Sequence, residues 1–255
     1  MEIIAIANQK GGVGKTTTAV NLTASLAAKR KHVLLIDLDP QGNATSGTGL
    51  DKNELALTMA DVLLDGVSLS AATVRSPAGF DVIGANRELA GMDVTLMGQT
   101  DSHELLKKAM TDLIAEQKKP YDYVIMDCAP SLNLLTINAL VATNDVIIPM
   151  QCEYYALEGL ADLSQTIERL TELNPKLHIR GVVRTLFDAR NTLARDVSAE
   201  LEAYFGDTMY KTHIPRNVRL AEAPAHGLPI IAYERWSKGS RAYQKLAAEV
   251  IKQSR

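Results

Sequence analysis

A glycine-rich turn near the N-terminus constrains the fold of this chain more than any other feature. The segment KGGVGKTT (10–17) lies between an apolar predicted strand at 2–7 and a predicted helix near 15–30. Glycines permit unusual φ angles and let backbone N–H groups close on an anion, and the helix N-terminus adds its dipole. The segment therefore predicts a phosphate-binding loop, placed between a strand and the helix that follows it.

The rest of the chain alternates short apolar, β-branched runs with longer amphipathic segments. Further strands are predicted at 33–37, 80–85, 123–127, 145–150 and 179–187. Further helices are predicted near 55–65, 102–118, 132–142, 156–173, 192–205 and 239–252. Near-continuous apolar strands are typical of a sheet covered on both faces. The alternation predicts an α/β fold, a doubly wound, mostly parallel sheet with helices on both faces, in a single domain over 1–255.

Charge and cysteine content limit the possible partners and compartments. The net charge is −3, but the segment from Thr208 to Arg255 carries nine Lys/Arg against three Asp/Glu, so positive charge is concentrated there. Cys128 and Cys152 lie in apolar surroundings and are too few for a disulfide scaffold, which favours a reducing, cytosolic compartment. We expect neither a signal peptide nor a transmembrane span.

The residues after the glycines have the chemistry of a nucleoside triphosphate site. Lys15 is placed to reach the β- and γ-phosphates, the Thr16 hydroxyl to bind Mg²⁺ and Thr17 to reach an α-phosphate. Gln9 stands where the strict G-x-x-x-x-G-K-[ST] pattern has its first glycine, so the loop departs from that pattern.

Three acids at predicted strand ends complete this interpretation. Asp127 ends the strand YVIMD, where a carboxylate can hold Mg²⁺ through water. Asp37 and Asp39 leave the second strand two residues apart and begin on the same face of an extended segment. Ligands bind at the carboxyl ends of strands in open α/β sheets, so these acids can converge on the phosphates. One can orient or deprotonate an attacking water while the other supports the metal shell.

Four motifs together resemble one family. KGGVGKTT resembles the deviant Walker A box of the ParA/MinD P-loop ATPases, and DLDPQGNAT, DCAPS and IPRNVRLAEAP resemble its ParA/Soj partition branch. The resemblance runs from about residue 2 to the C-terminus. It implies a P-loop NTPase fold, the cofactors ATP and Mg²⁺, and slow hydrolysis that a partner stimulates.

The resemblance also implies roles for individual residues. Lys10 matches the signature lysine, which reaches the nucleotide of a second subunit in an ATP-sandwich homodimer. Asp39 matches the hydrolysis aspartate and Asp127 the Walker B acid, with Asp37 a further candidate for the metal shell. The implied ATP-binding residues are Lys10, Gly11, Gly12, Val13, Gly14, Lys15, Thr16, Thr17, Pro215 and Asn217.

The basic C-terminal third predicts a surface for DNA. No helix-turn-helix pattern is recognisable, so binding to double-stranded DNA should be non-specific and strongly dependent on salt. The candidate residues are Arg190, Arg195, Arg216, Arg219, Arg235, Lys238, Arg241 and Lys245, and the resemblance favours Arg190 and Arg219. It also implies a nucleoid-associated protein with a ParB-like centromere-binding partner. Because the first strand begins at residue 2, we expect no separate DNA-reading domain before it.

Three alternatives stay open. A MinD-like membrane switch would use the last helix as an amphipathic anchor, but its apolar stripe is rich in alanine and lacks Phe or Trp. An iron–sulfur protein would use Cys128 and Cys152 in a cluster shared by two subunits, although their spacing matches no recognised motif. A ParA-like ATPase that positions another cargo would share every motif described above.

Overall fold

Seven strands build one sheet in the computed structural model, which describes residues 1–96, 98–154 and 156–254. Short apolar runs form its central strands, whose residues are buried on both faces of the sheet. The strands are β1 (Glu2–Ile6), β2 (Val33–Leu38), β3 (Val74–Arg75), β4 (Asp81–Ile83), β5 (Tyr123–Cys128), β6 (Asp145–Gln151) and β7 (His178–Thr185).

The strand order is β3-β4-β2-β5-β1-β6-β7, and every pair except β3–β4 is parallel. This arrangement confirms the predicted α/β class with a mostly parallel sheet. β1 lies between β5 and β6. Strands β2 to β5 lie on one side of β1, and β6 and β7 lie on the other, so the direction in which strands are added reverses at β1. Ligands bind at such switch points in open sheets, outside the carboxyl ends of the strands.

Helices connect the strands and cover both faces of the sheet. The α-helices are α1 (Lys15–Ala28), α2 (Asn43–Gly47), α3 (Met59–Asp65), α4 (Leu69–Ala72), α5 (Met92–Thr95), α6 (Leu105–Glu116), α7 (Leu134–Ala142), α8 (Ala156–Leu170), α9 (Thr192–Phe205), α10 (Val218–Glu222), α11 (Ile230–Tyr233) and α12 (Lys238–Gln253). Short 3-10 turns lie at Arg87–Gly91, Gly206–Thr208 and Ala223–His226. No helix within the described ranges is both long enough and apolar enough to cross a membrane.

A hydrophobic cluster lies on each face of the sheet, and successive residues of a strand contribute alternately to one cluster and the other. Ile4 and Ile6 of β1 belong to the cluster beneath α1 and α12, whereas Ala5 belongs to the one beneath α3, α6 and α7. The period of two in each strand therefore supplies both layers at once. The predicted stripe of the last helix is confirmed, because Tyr243, Leu246, Ala247 and Val250 are buried and Ile251 packs against them.

The structure differs from the sequence predictions at several element ends. Strand β7 stops at Thr185 rather than 187, because Leu186 turns the backbone to a positive φ of 50°. Helix α3 begins at Met59 rather than near 55, because Thr58 and Asp61 form a reciprocal capping box that starts the helix there. The antiparallel edge strand β3 was not predicted, because two residues carry no readable alternation. Cys128 and Cys152 are buried free thiols, as expected of small core residues.

Candidate functional site

The glycine-rich turn follows β1 at the carboxyl edge of the sheet. Gly12 and Gly14 have φ angles of 76° and 86°, in the left-handed region that favours glycine. Helix α1 begins at Lys15, and no side chain caps its first turn. Its first backbone N–H groups therefore lack a side-chain acceptor and point out of the helix end, where an anion is favoured.

Side chains from neighbouring strand ends hold this loop in place. Thr185, the last residue of β7, donates its hydroxyl to the Val13 carbonyl at 2.7 Å. Gln151, the last residue of β6, donates from Nε2 to the Gly12 carbonyl at 2.8 Å. The sequence analysis missed both residues. Gln151 directly follows one predicted strand and Thr185 lies near the end of another, and this was the only available signal, because the partners of both residues depend on the strand order.

The Lys15 side chain reaches back across the glycine-rich loop to the backbone at Lys10. Its Nζ donates to the Lys10 carbonyl at 2.9 Å, and only 6% of the residue is exposed. Burial lowers the pKa of Lys15, while the nearby Asp127 and Asp39 carboxylates oppose that change. The ammonium is thus partly desolvated beside negative charge, where an added phosphate would gain a strong charge-assisted partner.

Asp127 has the properties of a carboxylate built to bind a cation. It is fully buried, and no described residue donates a hydrogen bond to either oxygen. Burial and the Asp37 charge raise its pKa well above the usual range, partly offset by Thr16 and Lys15. Such an unsatisfied group is costly unless a ligand satisfies it.

These features fit the expected Mg²⁺ site. No three His, Cys, Asp or Glu side chains gather as metal ligands in 1–96, 98–154 or 156–254. Mg²⁺ does not need such a cage, because it is usually held by one or two carboxylates, waters and substrate phosphates. Asp127 with the Thr16 hydroxyl would supply the protein part of that set.

Asp37 holds the segment after β2 rather than pointing unpartnered at the loop. Its Oδ2 accepts from the Thr45 amide at 2.8 Å and from the Thr45 hydroxyl at 2.7 Å. Its Oδ1 accepts from the Asp39 amide at 3.1 Å. Asp39 in turn accepts from the Gln41 amide through Oδ1 at 2.9 Å. Asp37 therefore anchors the backbone that presents Asp39, and its expected part in the metal shell stays a prediction.

The paired acids predict an unusual pH dependence of stability. Asp37 and Asp127 are register partners on β2 and β5, and burial raises the pKa of Asp37 to about 6. A carboxyl pKa raised in the folded state contributes stability that is complete below about pH 4 and lost as the pH rises through the folded value. The nucleotide-free protein should therefore lose about 1–3 kcal/mol of unfolding free energy between about pH 4 and pH 7 from this pair.

Urea unfolding of wild type and Asp127→Asn over that pH range measures this contribution. Asp127→Asn should flatten the pH dependence and should be the more stable protein at the alkaline end, because one buried charge is gone. Histidine contributions, including that of His213 with its lowered pKa, are present in both proteins and cancel in the difference. Parallel pH profiles would contradict the assignment of this pH dependence to the Asp37–Asp127 pair.

The signature-type lysine, Lys10, lies on the outer side of the loop. Its Nζ contacts Glu153 Oε2 at 2.7 Å, and both side chains are about half exposed. Glu153 follows β6 and was not singled out from the sequence. The Lys10 side chain is therefore paired with an acid of its own chain.

Pro215 and Asn217 lie beyond the end of β7. Pro215 forms an isolated parallel bridge with Phe187, and Asn217 caps α10 through a bond from the Leu220 amide at 3.2 Å. The Thr185 side chain that binds the loop is only two residues before Phe187. The structure thus brings the 215–217 segment to the strand end that supports the phosphate-binding loop.

A basic cleft opens beside this segment. Six exposed cations line it: Arg190, Lys211, Arg216, Lys238, Arg241 and Lys245. Five of the eight predicted DNA-binding residues are among them, whereas Arg195, Arg219 and Arg235 lie outside the lining. Lys211 was missed, because a single lysine between Tyr210 and Thr212 carries no pattern of its own.

Arg190 and Arg219, the two DNA-binding candidates that the resemblance favours, each form an ion pair with a nearby acid. Arg190 contacts Asp188 at 2.8 Å, and Arg219 contacts Glu222 at 2.8 Å. Exposed pairs of this kind are worth little in water, so a phosphate can displace the acid at small cost. None of the other five cleft cations forms an ion pair with a residue in the described ranges.

Comparison with known proteins decides the family. A model of the AAA domain matches residues 1–179. The sporulation initiation inhibitor protein Soj of Bacillus subtilis is 51% identical over 98% of this chain and 98% of its own length. The chromosome partitioning protein ParA of Caulobacter vibrioides is 48% identical over 100% of this chain and 96% of its own.

This chain belongs to the ParA/Soj family of chromosome-partitioning ATPases. Its family relationship agrees with the deviant Walker A and DLDPQGNAT motifs. A solved structure of cobyrinic acid a,c-diamide synthase from Mycobacterium smegmatis, with bound ADP and magnesium, has a TM-score of 0.85 to this ParA/Soj protein. That chain is 36% identical, and the match covers 100% of this chain and 95% of that one. The roles of individual residues in this ParA/Soj protein stay predictions.

Proposed function

We propose that this protein is an ATP-dependent DNA-partition switch. The ATP-bound form is a homodimer that binds double-stranded DNA non-specifically, and hydrolysis returns it to monomers that leave the DNA. This cycle would drive chromosome or plasmid segregation from a cytoplasmic, nucleoid-associated position. The name of the diamide synthase indicates a different chemistry, but the partition proteins are the more similar in sequence.

One observation carries the proposal most directly. The end of β7 serves the nucleotide loop and the basic cleft together: Thr185 binds the Val13 carbonyl, and the cleft wall begins at Phe187. A conformational change in the nucleotide loop can therefore be transmitted to the basic cleft along the two residues of backbone from Thr185 to Phe187. This proximity supports a protein in which nucleotide state and DNA contact are linked.

ATP and Mg²⁺ are the cofactors that these residues fit. Lys15 and the open N-terminus of α1 would bind the phosphates, and Thr16 with Asp127 would hold the metal, Asp127 through water. When bound, Mg²⁺ neutralises charge on the phosphate oxygens during phosphoryl transfer. Asp39 would orient or deprotonate the attacking water.

Lys10 provides the link between hydrolysis and dimerisation. Phosphoryl transfer is catalysed by positive charge placed against developing negative charge, as a residue supplied in trans can do. To reach the nucleotide of the second subunit, Lys10 must break its ion pair with Glu153. That ion pair therefore makes the free energy of dimerisation slightly less favourable.

Removing this competitor should strengthen the dimer. Glu153→Gln in an Asp39→Ala background should tighten ATP-dependent dimerisation about two- to fivefold, the size of an exposed ion pair. Sedimentation equilibrium with ATP measures this change. Glu104→Gln is the matched control, because Glu104 pairs with Lys107 at 2.9 Å at similar exposure but away from the loop. Equal effects of both substitutions would show that Glu153 does not restrain Lys10.

DNA binding is the test of the proposed function. Anisotropy of a labelled random-sequence duplex should rise only with ATP, not with ADP or without nucleotide. Binding should weaken steeply between about 50 and 200 mM salt, because several cations displace counterions. Arg219→Glu should weaken it further, and normal binding by that variant would remove Arg219 from the DNA surface. Absence of binding in every nucleotide state would reject DNA as the track and leave the ATPase.

The MinD-like alternative finds little support in the last helix. The apolar stripe of α12 is buried against the core, with the Tyr243 hydroxyl 3.2 Å from the Thr18 hydroxyl of α1. That stripe would have to leave the core before it could enter a lipid surface. A ParB-like protein as the stimulating partner rests on the family alone, and cargo other than a chromosome or plasmid is a remaining alternative.

A further inference from the structure

An exposed tryptophan stands next to the basic cleft and has no role in the function proposed above. Trp236 is the single tryptophan of the chain, and it is 75% exposed. Tryptophan side chains are on average largely buried, and those at surfaces are enriched in interfaces. A single exposed apolar residue alone would need no explanation, so the surroundings of Trp236 decide its meaning.

The ring is carried by a well-held turn. The Ser237 amide donates to the Glu234 carbonyl at 3.1 Å, and the Ser240 amide donates to the Ser237 hydroxyl at 3.1 Å. The Arg235 guanidinium lies over the ring, 5.7 Å from its centre. Trp236 is therefore presented in a defined place between two anchored segments, and little ordering would be needed on binding.

The charges around Trp236 indicate a polyanion. Lys238 and Arg241, in the first turns of α12, line the basic cleft two and five residues after the tryptophan. Neither forms an ion pair with a residue that the structure describes. A second copy of the same cationic face would be repelled. A lipid surface would call for an apolar helix face, and that of α12 is buried beneath the cleft.

We infer that Trp236 is a DNA-contact residue whose ring packs on the sugar–phosphate backbone of a duplex held by the basic cleft. This inference rests on the proposed function and adds an apolar contact to an otherwise electrostatic surface. The cations supply attraction that depends on salt, whereas the indole supplies contact area that does not. The two kinds of contact can therefore be separated by experiment.

Duplex binding of the ATP-bound full chain should be measured over a series of salt concentrations. Trp236→Ala should bind about fivefold more weakly or worse, as is typical of a truncated interface tryptophan. The slope of log affinity against log salt should not change. Lys238→Ala should reduce that slope by about one. Trp236→Phe should recover most of the affinity, since it restores an aromatic surface.

Tyr204→Ala is the matched control, because Tyr204 is 71% exposed on α9 and does not line the cleft. It should bind DNA as wild type does. Tryptophan fluorescence of the wild type, excited selectively over its eight tyrosines, reports on Trp236 alone. It should change on adding duplex with ATP but not on adding anionic phospholipid vesicles.

The outcomes separate this inference from the function on which it rests. Wild-type affinity in Trp236→Ala, or a fluorescence response to vesicles in place of DNA, would overturn the role of Trp236. In the first case DNA binding itself would remain intact. If the wild type bound no duplex in any nucleotide state, the proposed function would fail and the inference with it.

Discussion

Lys15→Ala is expected to abolish nucleotide binding at micromolar ATP. The Lys15 ammonium is the buried cation of the loop, with Asp127 and Asp39 as its charged neighbours. Without it, a bound triphosphate would face these carboxylates with no compensating charge. Removing one partner of a buried ionic contact costs about 3 kcal/mol or more, which corresponds to about a 100-fold loss of ATP affinity. Titration calorimetry with Mg-ATP measures the loss.

Lys10→Ala is the matched control for this substitution. It removes a lysine from the same loop, but from the exposed side where the side chain contacts Glu153. This variant should bind ATP nearly as wild type does and remain monomeric. If both substitutions weakened ATP binding equally, Lys10 would act in its own subunit and the role in trans would be wrong.

The second large effect is expected at Asp39. Asp39→Ala should bind ATP, dimerise and stay on DNA, while its hydrolysis falls about 100-fold or more, the usual contribution of a general base. Asp39 is 9% exposed, but its carboxylate accepts from the Gln41 amide in the turn after β2, so its removal should disturb that turn more than the hydrophobic core. Phosphate release under partner-stimulated conditions, together with gel filtration in ATP, would measure both properties.

A conservative variant distinguishes chemistry from backbone support. Asp39→Asn keeps an oxygen that can accept from the Gln41 amide, but it loses the negative charge. Asp51→Asn is the control, since Asp51 accepts from the Asn53 amide at 2.9 Å in the same manner in an exposed loop. Near-normal hydrolysis by Asp39→Asn would make Asp39 a turn residue and overturn its catalytic role.

Much of this protein is determined by local sequence. Glycines at 12 and 14 can take positive φ angles where other residues are strained, so the loop is readable before any fold is known. Near-continuous apolar runs specify strands buried on both faces, and the spacing of Tyr243, Leu246 and Val250 specifies which side of α12 is buried. The α/β class, the nucleotide loop and the acids at strand ends follow from these short-range patterns.

Strand order and everything that depends on it were decided only by tertiary structure. Gln151 and Thr185 hold the loop because β6 and β7 lie on one side of β1, an arrangement that no local pattern encodes. Six cations spread from Arg190 to Lys245 meet in one cleft for the same reason. The sequence by itself predicted which residues could carry the chemistry. Packing decided which of them meet, because hydrophobic burial orders whole elements and distant side chains are brought together with them.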